Sequence, residues 1–201
     1  MAALAGRVVV ASGNAGKVAE LSRTLAPLAL ELITQDSLGV PEVAETGVTF
    51  VENALIKARN ASRHTGLPAI ADDSGLEVSA LHGAPGVHSA RYSGEGDAGN
   101  NAKLLRALAA VDDPARHARF YCALVLLRHA DDPTPVIALG SWHGRILRER
   151  RGEGGFGYDP LFWVESHQCS AAELQREEKN RISHRGKASI ALLDALRHAS
   201  G

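Results

Sequence analysis

The run Val8-Val9-Val10-Ala11-Ser12-Gly13-Asn14-Ala15-Gly16-Lys17 decides the fold. Its β-branched start reads as a buried strand, and Ser12-Gly13-Asn14 turns the chain. Residues 17–25 then carry Val18, Leu21 and Leu25 at helical spacing, and Pro27 stops that helix. Residues 30–33 read as a second strand. A strand, a turn, a helix and a returning strand open an α/β sheet.

Further along, Thr49-Phe50-Val51-Glu52 is a capping box that starts a helix running to about His64, closed by Gly66 and Pro68. Its apolar stripe carries Phe50, Val51, Ala54, Leu55 and Ala58, with Asn53 and Lys57 together on one edge. Residues 69–71 read as a strand ending in an Asp72-Asp73-Ser74-Gly75 turn, and residues 76–81 resume with alternation. Residues 82–99 are glycine-rich and irregular, and residues 101–111 are helical. Residues 119–127 and 136–147 read as long neighbouring strands joined at Asp131-Asp132-Pro133. Ser170-Ala171-Ala172-Glu173 is a second capping box, opening a helix to about Lys179. A last helix over residues 187–199 spaces Ile190, Leu193 and Leu196 regularly. The sum is a mixed β-sheet flanked by helices.

A length of 201 residues suits one sizeable domain. The net charge of −1 leaves no global basic field for a nucleic-acid polymer, so an anionic ligand would be small and met locally. Cys122 and Cys169 stand at no metal or redox spacing, and Cys122 lies in an apolar run. That usage fits a reducing cytoplasm. Met1-Ala2-Ala3-Leu4-Ala5-Gly6-Arg7 lacks the charged start and apolar core of a signal peptide, and no apolar run reaches bilayer length.

Three clusters carry chemistry. Ser12–Lys17 has the strand–turn–helix form that presents backbone N–H groups to phosphate, though without Walker spacing. A plain turn with a solvated lysine is its bland counterpart. In Asp72-Asp73, alternation sends the carboxylates to opposite sides, one structural and one toward a ligand. A turn whose aspartates cap local backbone competes with that reading. Gly155-Phe156-Gly157-Tyr158-Asp159-Pro160 sets two rings among glycines, and Lys179-Asn180-Arg181-Ile182-Ser183-His184-Arg185 follows with donors. Rings stack on bases at about 1–3 kcal/mol each, and donors then read base identity. Arg145, Arg148, Arg150 and Arg151 read as a solvated surface or a protected strand edge. The nine histidines form no zinc pattern, and no serine-hydrolase elbow is present.

Together these stretches resemble the inosine triphosphatase-like family, the dITP/XTP or purine NTP pyrophosphatases, and its bacterial branch in particular. The matching blocks are Ser12–Lys17, Glu45-Thr46-Gly47 with Phe50-x-Glu52-Asn53-Ala54, residues 71–75, Pro85-Gly86 with Ser89-Ala90-Arg91-Tyr92, residues 154–160, and residues 178–186. They run in family order from about residue 7 to residue 197.

The resemblance implies an elongated mixed sheet over residues 1–201, in two lobes with the cleft between them, and a homodimer. It implies hydrolysis of dITP, ITP and XTP to the monophosphate and pyrophosphate, cleansing the nucleotide pool with Mg²⁺ in the cytoplasm. Asp73 matches the proton acceptor and a Mg²⁺ ligand, and Glu45 a second Mg²⁺-associated acid. Ser12, Gly13, Asn14, Ala15, Gly16 and Lys17 match substrate-binding residues, with Lys17 and Lys57 on the triphosphate. Ser74 matches a substrate contact, and Phe156, Gly157, Tyr158, Asp159, Lys179, His184 and Arg185 match the nucleoside site. His88 departs from the family's usual tyrosine and takes no role. The expected partner is a small nucleoside triphosphate, with neither nucleic-acid polymer nor membrane. A Maf-like pyrophosphatase of other base preference and a non-catalytic nucleotide-binding module are the competing readings; a kinase or GTPase lacks its loop.

Overall fold

The computed structural model describes residues 6–13 and 15–199, so the readings of residues 1–5 and of Asn14 lie outside the described residues. Seven strands form one sheet in the order β2-β1-β3-β4-β5-β6-β7. They are β1 Arg7–Val10, β2 Glu31–Thr34, β3 Ala69–Val78, β4 His117–Leu127, β5 Val136–Ile146, β6 Phe162–Val164 and β7 Cys169–Ser170. The helices are α1 Ala15–Leu25, α2 Phe50–Thr65, α3 Gly96–Ala107, α4 Arg176–Ile182 and α5 His184–Ala199. β1 pairs in parallel with β2 and β3, whereas β6 is antiparallel to β5 and β7. The expected mixed sheet is therefore present.

The chain divides into two compact units, the first comprising residues up to Asp73, 122–140 and from Arg185 onward, the second residues 74–121 and 141–184. In the first, strand alternation sorts the core. Val8, Val10, Ile70, Cys122, Leu124 and Leu126 pack with Leu21 and Leu25 of α1 and with Leu192 and Leu196 of α5. Val9, Ala11, Ala69, Ala71, Val125 and Leu127 instead pack with Ala54, Ala58 and Ala61 of α2. Three alanines at helical spacing let α2 lie close against the sheet. In the second unit, Leu76, Val78, Phe120, Trp142, Phe162 and Val164 pack against Leu104 and Leu108 at the α3 end.

Cys122 is fully buried, and that burial pushes its thiol up to about 12. The turn at Asp132 forms as expected, its carboxylate accepting from Arg128 and from the Thr134 N–H. Among the described residues no helix is long and apolar enough to cross a membrane.

Several expectations are corrected. Asp72 to Gly75 is not a turn but the middle of β3, because basic and amide partners satisfy the carboxylates in mid-strand. α3 spans Gly96–Ala107 rather than 101–111, starting through glycines that sequence patterning reads as loop. The second capping box opens no helix: the Ser170 hydroxyl donates to the Arg151 carbonyl, and Ser170 belongs to β7. α5 begins at His184, earlier than residue 187, and Ile190 on it is 46% exposed while Leu193 and Leu196 are buried.

Candidate active site

Alternation along β3 places the two aspartates on different partners. Asp72 follows Ile70, toward α1 and α5. Lys17 Nζ donates to Asp72 Oδ2 at 2.9 Å, and Arg185 Nε lies 3.6 Å from the same oxygen. Arg185 Nη1 also reaches Glu20 Oε2 at 3.4 Å. Burial opposes the Asp72 charge, yet Lys17, Arg185 and Lys57 outweigh it and hold the carboxyl well below the usual range.

This buried charge has a stability consequence. Because the folded-state pKa is depressed, the contribution is complete above the unfolded aspartate value of about 4 and is lost as pH falls through the folded one. Asp72→Asn leaves two cations without their carboxylate and is expected to cost about 3 kcal/mol at pH 7. The wild-type advantage shrinks by about 1 kcal/mol at pH 3. Urea unfolding of both proteins at the two pH values measures this; equal stability at pH 7 contradicts it.

Asp73 follows Ala69 and Ala71 toward α2. Asn53 Nδ2 donates to Asp73 Oδ2 at 3.2 Å, and Lys57 Nζ stands 3.5 Å from Asp73 Oδ1 and 2.6 Å from Glu45 Oε1. Burial raises the Asp73 pKa, with Glu45 and Asp72 adding to the rise and Lys57 and Asn53 opposing it. Burial works against the Lys57 charge, but Asp73, Asp72 and Glu45 together push its pKa up. A carboxylate easier to protonate than usual thus sits beside a lysine that stays charged.

The start of α2 builds the other wall. The capping box is present: Thr49 Oγ1 accepts from the Glu52 N–H at 3.2 Å, and Glu52 Oε2 accepts from the Thr49 N–H at 2.8 Å. Asn53, fully buried, accepts from the Gly47 N–H at 2.8 Å while donating to Asp73. It therefore ties the loop after Glu45 to the Asp73 strand. A Cβ on Gly47 would lie 2.5 Å from Glu52 Cβ, so only glycine fits there. The sequence placed Asn53 beside Lys57 but gave no sign of this double role.

Ser12, Lys17, Asp72, Arg185 and Ser189 line a cavity of about 10 Å³, roughly one water in size. Ala15 and Gly16 form the first turn of α1, which carries no acidic residue there. A Cβ on Gly13 would meet only the Asp36 carboxylate at 3.5 Å, an ordinary contact.

In the second unit the aromatic–glycine stretch separates its two rings. Phe156 is 51% exposed, whereas Tyr158 is 3% exposed and donates from its hydroxyl to the Ser89 carbonyl at 2.9 Å. Tyr158 is thus core, contrary to the expectation that both rings serve to stack on a base. Asp159 Oδ2 accepts from the Phe156 N–H at 2.8 Å and pairs with Lys179. Lys179 Nζ stands 4.8 Å from the Phe156 ring centroid, which steadies the exposed ring. Gly155 has φ +74°, and a Cβ there would fall 2.2 Å from Asp159 Oδ2. His184 stacks on Phe120 at 4.9 Å and 12°. Ser74 is half-buried on β3, and His88 is exposed.

Three sets are therefore brought together: Lys17, Asp72 and Arg185; Lys57, Glu45 and Asp73; Phe156, Asp159 and Lys179. His184 and Arg185, adjacent in sequence, have different surroundings: an aromatic stack for one, two carboxylates for the other.

An open mixed sheet with cation-held carboxylates in mid-strand defines an α/β protein equipped for a small polyanion. The chain belongs to the Ham1 family, whose model matches residues 8–195. It is 60% identical over 194 residues to the dITP/XTP pyrophosphatase of Shigella flexneri, covering 96% of this chain and 98% of that protein. The Escherichia coli K12 dITP/XTP pyrophosphatase is 58% identical with the same coverage. A solved HAM1 protein from Coxiella burnetii superposes with a TM-score of 0.92 at 51% identity, covering 96% of this chain and 100% of that one. The resemblance read from the six sequence blocks is borne out.

Proposed function

We propose that this chain hydrolyses non-standard purine nucleoside triphosphates, dITP, ITP and XTP, to the monophosphate and pyrophosphate, and so cleanses the nucleotide pool. The observation that carries this reading is the Lys57–Glu45–Asp73 cluster on a chain about 60% identical to dITP/XTP pyrophosphatases.

Asp73 takes the proton of the water that attacks the α-phosphorus, and pyrophosphate leaves with the electrons of the broken P–O bond. Burial keeps Asp73 basic enough for that task. Lys17 and Lys57, each fixed by a carboxylate, offset the charge that grows on the leaving group without reorganising first. Phe156 stacks on the base, held by Asp159 and Lys179. His184 donates to the 6-oxo atom that hypoxanthine and xanthine share; adenine has an amino donor there and leaves that bond unmade. Arg185, held by Asp72 and Glu20, adds positive charge beside Lys17.

Glu45 and Asp73 suit a hard Mg²⁺, since both are oxygen ligands already close to one cation, Lys57 Nζ. No group of three or more His, Cys, Asp or Glu able to hold a metal exists among the described residues, so phosphates and water would complete the shell. When bound, Mg²⁺ supplies charge neutralisation to the phosphates.

Two copies of the chain and a cytoplasmic setting belong to the same proposal. Exposed Ile137 and Leu139 on β5 suit a pairing surface, and free Cys122 and Cys169 suit a reducing compartment. Turnover of dITP, XTP, dTTP and UTP tests the substrate class. Purine 6-oxo substrates are expected to be faster by about a hundredfold or more, with EDTA stopping all of them. Preference for dTTP or UTP fits a Maf-like enzyme instead.

A further inference from the structure

Gly157, next to the exposed ring of Phe156, is gripped through both of its backbone groups by one helix. Its N–H donates to Asp97 Oδ2 at 2.6 Å, and its carbonyl accepts from Asn101 Nδ2 at 2.8 Å. Asn101 Nδ2 also donates to the Asp97 carbonyl at 2.6 Å, which locks the two α3 residues together. Asn101 is 2% exposed, so its two bonds are not loose surface contacts, whereas Asp97 makes its bond from the exposed side of the helix. Neighbouring Asn100 donates to the Ser89 and Ala90 carbonyls, and Ser89 in turn accepts from the Tyr158 hydroxyl. The backbone of an exposed turn is thus held by one buried amide and one exposed carboxylate of α3, Asn101 and Asp97.

We infer that Asp97 and Asn101 are positioning residues that hold the Phe156 ring ready for a purine base, an inference that rests on the stacking role proposed above for Phe156. Gly157 takes φ +60°, the left-handed conformation, and a glycine there is free to leave it unless both peptide groups are tethered. Asp159 fixes the Phe156 N–H, Asp97 fixes the next peptide through the Gly157 N–H, and Asn101 fixes the one after through the Gly157 carbonyl. A ring ordered in advance loses less freedom on binding, so the clamp acts on affinity. Neither residue belongs to the Lys57–Glu45–Asp73 set, so the chemical step stays unchanged.

The chemistry of the clamp dictates the variants. Asn101→Asp replaces a double donor with an acceptor aimed at two carbonyls and expels the turn. Asp97→Ala removes the acceptor, while Asp97→Asn keeps one. Steady-state kinetics with dITP is expected to show KM raised about tenfold in Asn101→Asp and Asp97→Ala, kcat within about twofold, and Asp97→Asn near wild type. On a Phe156→Ala background the Asn101→Asp effect should vanish, because the clamp works through that ring. A KM that does not move, or effects that simply add to Phe156→Ala, overturns the inference. If Asn101→Asp does not fold, the Asp97 pair decides alone. Hydrogen exchange at the Gly157 amide is slow in wild type and fast in Asp97→Ala if the clamp exists, and unchanged exchange refutes it. A wild-type protein that binds and turns over no dITP refutes the functional reading and the base-affinity role with it, whatever the exchange result.

Discussion

Asp73→Asn is expected to lower dITP turnover by about 10²–10⁴-fold while leaving nucleotide affinity within a few-fold. Asparagine has the same shape and can still accept the Asn53 bond that Asp73 Oδ2 accepts at 3.2 Å. Lys57 keeps Glu45 at 2.6 Å, so the cluster loses a base and not its frame. In wild type, burial raises the Asp73 pKa from its ordinary value. A base must be unprotonated, so kcat falls as pH drops through that raised value. Single-turnover kinetics with equilibrium binding of dITP measures both quantities; near-normal turnover removes Asp73 from the mechanism.

The largest expected loss of stability lies away from this chemistry, at Arg116. It is 2% exposed, and its guanidinium donates to the carbonyls of Leu108 at 2.7 Å, Ile146 at 2.8 Å and Leu147 at 2.9 Å. The donors thus bind the end of α3 to the end of β5, and no carboxylate takes part in those bonds. Arg116→Met keeps the apolar stem and strips every donor. The Leu108 carbonyl keeps the Val111 N–H at 3.0 Å, while the Ile146 and Leu147 carbonyls lose the guanidinium at about 1–3 kcal/mol each. With partial relaxation the expected cost is about 4 kcal/mol, or about 8–16 °C in thermal midpoint for a chain of this length. Arg116→Lys, which reaches fewer carbonyls, should fall between. A midpoint within about 2 °C of wild type for Arg116→Met would show that water replaces the guanidinium.

Much of this was legible in the sequence because it rests on local pattern. The valines of β1, the Thr49–Glu52 box and the turn at Asp132 each depend on neighbours a few residues away. The opposed aspartates followed from strand alternation even though a turn was expected there, since the period of two continues through β3. What escaped depends on distant partners. Tyr158 is core because its hydroxyl meets the Ser89 carbonyl 69 positions away in sequence. Asn53 gains its role from Asp73, 20 positions on, and Asn101 from Gly157, 56 positions on. Ser170 reads as a helix cap from its neighbours alone, but its hydroxyl donates to the Arg151 carbonyl, 19 positions away. Lys17, Lys57 and Glu45 could be nominated from type and resemblance, but only the fold shows which carboxylate holds which lysine.

The proposed chemistry predicts which bond of the substrate breaks, and phosphorus NMR of dITP mixed with the protein and Mg²⁺ reads that directly. Pyrophosphate and dIMP are expected as the first products, growing together from the earliest spectra. Orthophosphate with dIDP as the first products would contradict it.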